Sequence, residues 1–156
     1  MAGGADGSRA LPGAVLFACT MNSVRSPMAA AILRHLAGRS TYVESAGVRA
    51  GGPDGFAVAV MEEIGIDMSR HLPRTLAELQ ETTFDLIVSL SPEAHHQALE
   101  WTRTMAVDVE YWPTHDATLM VGHGSRDQIL ASYREVRDAL FQRIKARFGF
   151  TGGPSL

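Results

Sequence analysis

One cysteine, Cys19, heads a short polar stretch: Thr20, Met21, Asn22, Ser23, Val24 and Arg25, then Ser26 and Pro27. A thiol and a guanidinium six residues apart suit one task, holding an oxyanion while sulfur attacks it. Residues 14–18 before the stretch are apolar and read as a strand, and Ser26-Pro27 after it reads as a helix start. The stretch would then join a strand end to a helix N-terminus. Backbone N–H groups converge on one anion there, and the helix dipole favours negative charge. Arg25 can fork two hydrogen bonds onto phosphate-like oxygens. The same positive field favours the thiolate of Cys19, the attacking form. Ser26 can donate to the sulfur and help it leave, and Asn22 can bond across the loop and hold it open. The competing reading is a structural cysteine with an arginine nearby. At roughly 5% usage for each type, Asn22, Arg25 and Ser26 would coincide by chance for about 1 in 10,000 cysteines.

The elements that must hold this loop are legible as an alternation. An apolar run over residues 14–18 with no polar alternation suits a strand buried on both faces of a parallel sheet. Ser26 as N-cap and Pro27 in the first turn open a helix that runs over 28–37 and stops at Gly38. A second strand is expected over 41–45. Gly51, Gly52 and Pro53 break the chain, and a helix follows to about Ile64, ended by Gly65. Thr75 and Glu78 make a capping box for a short helix. A third strand covers 84–90. Ser91, Pro92 and Glu93 open a helix to about Arg103, and a weaker fourth strand covers 106–111. Ser125 and Gln128 form another capping box, and Ile129, Tyr133, Val136, Leu140, Ile144 and Phe148 then share one helical face. Strand and helix alternate, so the fold class is α/β: a three-layer sandwich with a parallel sheet between helices. Ligands in such sheets bind beyond the carboxyl ends of the strands, which is where Cys19 falls.

The bulk numbers suit a single domain. The chain has 156 residues, 46% hydrophobic and 20% charged, and a net charge of −3. That length buries a sizeable core without a metal or disulfide staple. No Lys/Arg run exists, which argues against a nucleic-acid groove. No apolar stretch approaches the ~20 residues of a membrane span, and the first residues lack a signal-peptide apolar core. A lone cysteine fits a reducing compartment, so a cytoplasmic location is expected. Residues 1–11 and 150–156 read as flexible tails around one domain over 12–149. His115, Asp116 and His123 match no standard metal-ligand spacing, so no metal is expected there. His95 and His96 fall on a predicted helix and read as a solvated face.

Cys19, Arg25, Ser26, Pro27 and Met28 together resemble the signature of the low-molecular-weight protein tyrosine phosphatases. Glu44, Ser45, Ala46 and Gly47 resemble that family's Ser-Ala-Gly segment. Asp67, Ser69, His71 and Arg74 resemble its Asp-x-Ser-x-His-x-x-Arg segment. Trp112, Pro113, Thr114, His115 and Asp116 resemble the loop bearing its acid. The matches keep family order from Ala14 to Phe148. The resemblance implies a four-stranded parallel sheet flanked by helices on both faces, with a phosphate-binding loop after strand one. It implies hydrolysis of phosphomonoesters, protein phosphotyrosine foremost, through a phosphocysteine, with no cofactor. Cys19 would be the nucleophile, Arg25 the phosphate clamp, and Asp116 the acid and then the base, with Asp108 and Asp127 as rivals. Asn22, Ser26, Ser45 and His71 would form a supporting network. The partner implied is a phosphorylated protein or a small phosphomonoester.

Four departures widen the choice of chemistry. Ala117 follows Asp116 where the family usually has proline. Ser23 stands where tyrosine-specific members carry an aliphatic residue. Relatives with Thr there dephosphorylate arginine, and arsenate reductases of this fold often have Ser. Val24 replaces a second loop cysteine, so oxidised Cys19 has no neighbouring thiol to protect it. No aromatic residue flanks the loop on either side, which leaves Tyr111 and Trp112 as candidate walls and Arg49 as a rim charge for an acidic substrate. The alternatives are a single-cysteine arsenate reductase using an external thiol, a protein-arginine phosphatase, and an inactive phosphate-binding module.

Overall fold

In the computed structural model, which describes residues 11–151, the alternation becomes a four-stranded parallel sheet. The strands are β1 (Ala14–Cys19), β2 (Tyr42–Gly47), β3 (Leu86–Ser89) and β4 (Asp108–Tyr111), in the order β2-β1-β3-β4. Central β1 is paired on both sides, and from Val15 onward its side chains are all buried. Its pleat sends Val15, Phe17 and Cys19 to one face and Leu16 and Ala18 to the other. Alternate residues therefore serve two cores, which is why the run shows no polar alternation.

Helices α1 (Arg25–Ala37), α2 (Gly55–Glu62) and α4 (Arg126–Phe148) pack on the first face. Helix α3 (Pro92–Trp101) and a 3₁₀ turn, Leu76–Leu79, pack on the second. All six apolar face residues of α4 are buried, and its expected capping box is present. Leu11 and Phe150, at the inner edges of the two expected tails, are partly buried against the first core. Thr151 is exposed, and residues 1–10 and 152–156 lie outside the described residues. Among the described residues, no helix is long and apolar enough to cross a membrane.

One helix start differs from the sequence reading. Helix α1 begins at Arg25 with Val24 at the N-cap and no side-chain cap, so Ser26 lies inside the first turn, fully buried. Its hydroxyl is used elsewhere: it sits 2.9 Å from Cys19 Sγ. The start of α1 therefore has no side-chain capping oxygen on its first-turn N–H groups, which leaves them open to an anion. Helices α2 and α3 end two residues sooner than the pattern suggested, at Glu62 and Trp101.

Candidate active site

The loop between β1 and α1 is held from behind by a continuation of the sheet. Val48 N–H donates to Cys19 O at 3.0 Å, Arg49 N–H to Thr20 O at 2.8 Å and Gly51 N–H to Met21 O at 2.8 Å. The carbonyls of three successive peptide units thus point at residues 48–51. Across a trans peptide the N–H of the same unit points the opposite way. This approach leaves no room for side chains. A Cβ on Gly47 would lie 2.7 Å from Asn22 N, and one on Gly51 would lie 2.8 Å from Ser23 Oγ. Gly47, the end of the Ser-Ala-Gly segment, is glycine because Arg49 O, 2.5 Å from such a Cβ, and the loop backbone together occupy its side-chain space.

Asn22 is the centre of the loop. Among the described residues it is the one non-glycine with positive φ, at 54°, and it is fully buried. A left-handed residue is disfavoured by roughly 1–2 kcal/mol, least so for Asn. Its contacts more than offset this. Nδ2 donates to Ser26 Oγ at 2.9 Å and to Ser45 Oγ at 3.0 Å, and Oδ1 accepts from Arg74 N–H at 2.9 Å. The Asn22 carbonyl lies 2.8 Å from His71 Nε2. A carbonyl only accepts, so Nε2 carries the proton. Burial, with help from Arg34 and Arg74, holds the His71 imidazole below its ordinary range, against the bond to Asn22 and the Glu44 charge. The neutral ring with Nε2–H is therefore the favoured form at neutral pH.

Cys19 is 2% exposed. Since Asn22 donates to Ser26 Oγ, the serine proton is free for Cys19 Sγ at 2.9 Å or Ala46 O at 3.3 Å. Thr20 Oγ1 donates to Ser91 Oγ at 3.0 Å, tying the loop to the N-cap of α3. Ser23 Oγ donates to Gly52 O at 2.7 Å. Arg25 reaches across the hollow: its Nη1 donates to Thr114 O at 3.1 Å, and its Nη2 lies 4.0 Å from Asp116 Oδ2. Cys19, Met21, Ser23, Val24, Arg25, Asp116 and Thr118 line a hollow of about 40 Å³. Asp108 and Asp127, the rival acids, are not among its lining residues.

Three expected features are absent from the site, and one further histidine is placed differently. Trp112 is 3% exposed and packs edge-on against Phe17, with its Nε1 donating to Glu110. Tyr111 stacks on His95 at 4.5 Å between ring centres. Neither forms a wall of the hollow. Arg49 pairs with Glu93 at 3.2 Å in the open, so its charge is compensated. His95, expected on a solvated face, lies under Tyr111 with Nδ1 2.8 Å from Ser89 Oγ. Among the described residues, no three His, Cys, Asp or Glu side chains come together as a metal ion would need.

Sequence reasoning also passed over Thr118, which gives Asp116 Oδ1 two hydrogen bonds, from N–H at 3.0 Å and Oγ1 at 2.6 Å. The signal was present: Asp followed two residues later by Thr is a turn pattern in which the carboxylate caps the backbone. Ser91 and Arg74 are visible in sequence as a helix cap and a motif position. That they bind Thr20 and Asn22 is not.

A model of the family described as low molecular weight phosphotyrosine protein phosphatase matches residues 14–146. An arsenate reductase of Bacillus subtilis is 31% identical over 88% of this chain and 96% of its own. A low molecular weight protein tyrosine phosphatase from T. tengcongensis superposes with a TM-score of 0.72 at 25% identity, over 87% of this chain and 97% of that one. An arginine phosphatase variant with a phosphorylated active-site serine superposes with a TM-score of 0.66 at 25% identity, over 87% and 93%. The chain belongs to the low molecular weight phosphotyrosine protein phosphatase family of cysteine-based enzymes.

Proposed function

We propose that the chain is a phosphatase that hydrolyses phosphomonoesters through a phosphocysteine at Cys19. The observation that carries this reading is one hollow holding a sulfur, a guanidinium and a carboxyl, with Cys19, Arg25 and Asp116 all in its lining. In the first step the Cys19 thiolate attacks phosphorus and the S–P bond forms. The P–O bond to the leaving group breaks, and Asp116 gives that oxygen a proton. In the second step Asp116 takes a proton from water, the water oxygen attacks phosphorus, and the S–P bond breaks. The phosphoryl oxygens carry the spreading charge, and Arg25 and the inward N–H groups of the loop receive it. Ser26 Oγ–H stabilises the departing thiolate.

The substrate is less narrowly defined than the chemistry. Protein phosphotyrosine is the family's described substrate and heads the list. The lining holds no aromatic ring to sandwich a tyrosyl leaving group, so phosphoarginine, a phosphoramidate whose P–N bond would break in place of P–O with Asp116 protonating the nitrogen, belongs beside it as the substrate type of an arginine phosphatase among the structural neighbours.

A second reading, arsenate reduction, is favoured by the name of the Bacillus subtilis relative. Reduction of As(V) to As(III) takes two electrons from two thiols. Cys19 would bind arsenic through sulfur, and a second thiol would attack that sulfur to form a disulfide and release arsenite. The chain contains one cysteine, so this thiol would come from outside. The test measures phosphate release from p-nitrophenyl phosphate, phosphotyrosine and phosphoarginine peptides, and arsenite formation from arsenate with glutathione. We expect phosphate release that disappears in Cys19→Ser, and no arsenite. Arsenite formation without ester hydrolysis would overturn the phosphatase reading.

A further inference from the structure

We infer that Thr118 is the positioning residue that aims the Asp116 carboxyl, doing here what a proline after the acid would otherwise do. The inference rests on the reading of Asp116 as the proton donor. A carboxyl group rotates about its last bond in a broad, two-fold potential. The Asp116 side chain is 36% exposed, so the surrounding packing does not fix it. What fixes it is one neighbour: Thr118 donates to Oδ1 from both its N–H, at 3.0 Å, and its Oγ1, at 2.6 Å.

Two donors on one oxygen set the plane of the carboxyl and divide its oxygens. Oδ1 accepts both bonds, and a proton on it would weaken them. Oδ2 faces Arg25 Nη2 at 4.0 Å across the hollow, and it is the oxygen left to carry and deliver the proton. The turn that presents these donors is itself secured. Ala117 is fully buried, Leu119 N–H donates to Asp116 O at 3.2 Å, and Val121 N–H donates to Thr118 O at 3.0 Å. A buried methyl and a closed 3₁₀ turn, Ala117–Met120, hold the backbone where the family uses a proline ring. Thr118 is β-branched, so its hydroxyl has few rotamers to choose among. It also lines the hollow, which places the clamp at the mouth where a leaving group must pass.

A clamp on the acid has a signature that a structural residue lacks. Proton donation matters most when the leaving oxygen is strongly basic and least when it departs readily as an anion. The experiment measures kcat/KM, which reports P–O cleavage, for Thr118→Val and Thr118→Ser across aryl phosphates of graded leaving-group basicity and one alkyl phosphate. Thermal unfolding is recorded alongside. For Thr118→Val we expect a loss of about tenfold on the alkyl phosphate, the scale of one hydrogen bond to a charged group. On p-nitrophenyl phosphate the loss is within about twofold, so the dependence on leaving group steepens. Thr118→Ser, which keeps the hydroxyl, restores both. A loss equal for every leaving group, or none at all, would overturn the assignment. Asp116→Asn separates the two levels of the argument. If it keeps full activity on the alkyl phosphate, the proton donor is misassigned. If it loses activity while Thr118→Val does not, only the clamp is refuted.

Discussion

The two halves of the hollow are held in opposite ways. The Cys19 loop is rooted in buried residues, Cys19, Asn22, Val24 and Ser26, and its ties come from far along the chain: Ser45, Gly47, His71 and Arg74 all meet it. The acid turn is half exposed, and the carboxyl is held by a residue two places away. On the proposed reading, the difference follows from what each half must do. A cradle for a dianion must keep its amides converged with no substrate present, so its geometry is built into the core and does not reorganise during reaction. An acid must carry a proton at one step and take one at the next, so it sits near water with a local anchor. Arg25 spans both, with Thr114 O at 3.1 Å and Asp116 at 4.0 Å.

This contrast is tested most severely at Asn22. Asn22→Ala strands the Arg74 N–H, takes the donor from both serine hydroxyls and leaves a left-handed alanine. We expect a loss of about 3 kcal/mol in stability, from unmet hydrogen bonds plus backbone strain. A displaced loop should lower kcat/KM by about 100-fold. His71→Gln, which disturbs one bond to the same carbonyl, should cost less than a tenth of that factor. Denaturant unfolding and p-nitrophenyl phosphate kinetics check both. An Asn22→Ala protein as stable and active as wild type would mean the cradle does not depend on its distant ties.

A smaller effect separates scaffold from site. Glu63, just beyond α2, receives hydrogen bonds from Arg134 and Arg137 of α4. Those bonds, Arg134 foremost, hold its carboxyl down from 4.5 to about 2. A carboxyl lowered in the folded state stabilises the protein above its unfolded value, and that stability is lost as pH falls from 4.5 through about 2. The pair is partly exposed, so the effect is modest. Urea midpoints measured down this range should fall, and Glu63→Gln should flatten the slope without changing kcat/KM at neutral pH. An unchanged slope in Glu63→Gln would remove this tie between α2 and α4.

Much of the fold was legible because its signals are local. The apolar run of β1 and the three-and-four spacing along α4 each report burial within a few residues. The Cys19 loop was legible because strand, loop and helix start are contiguous. Ser26 was misread as an N-cap because its type suits that place, whereas its approach to Cys19 Sγ was expected from the loop chemistry. Trp112 and Tyr111 were misread as site walls because adjacency to Asp116 says nothing about which way a strand end turns its rings. Both rings turn into packing, one onto Phe17 and one onto His95. The network around Asn22 joins residues up to 52 positions apart, a distance over which spacing carries no information. Only the order of the family's motifs hinted at it.

The central claim is that Cys19 accepts the phosphoryl group. The direct measurement is a rapid-quench reaction of Asp116→Ala with p-nitrophenyl phosphate, followed by mass analysis of the peptide containing Cys19. The account predicts a burst of nitrophenolate matching the enzyme present, with the added phosphoryl mass on Cys19, and neither in Cys19→Ala. Steady release of phosphate with no burst and an unmodified Cys19 would contradict it.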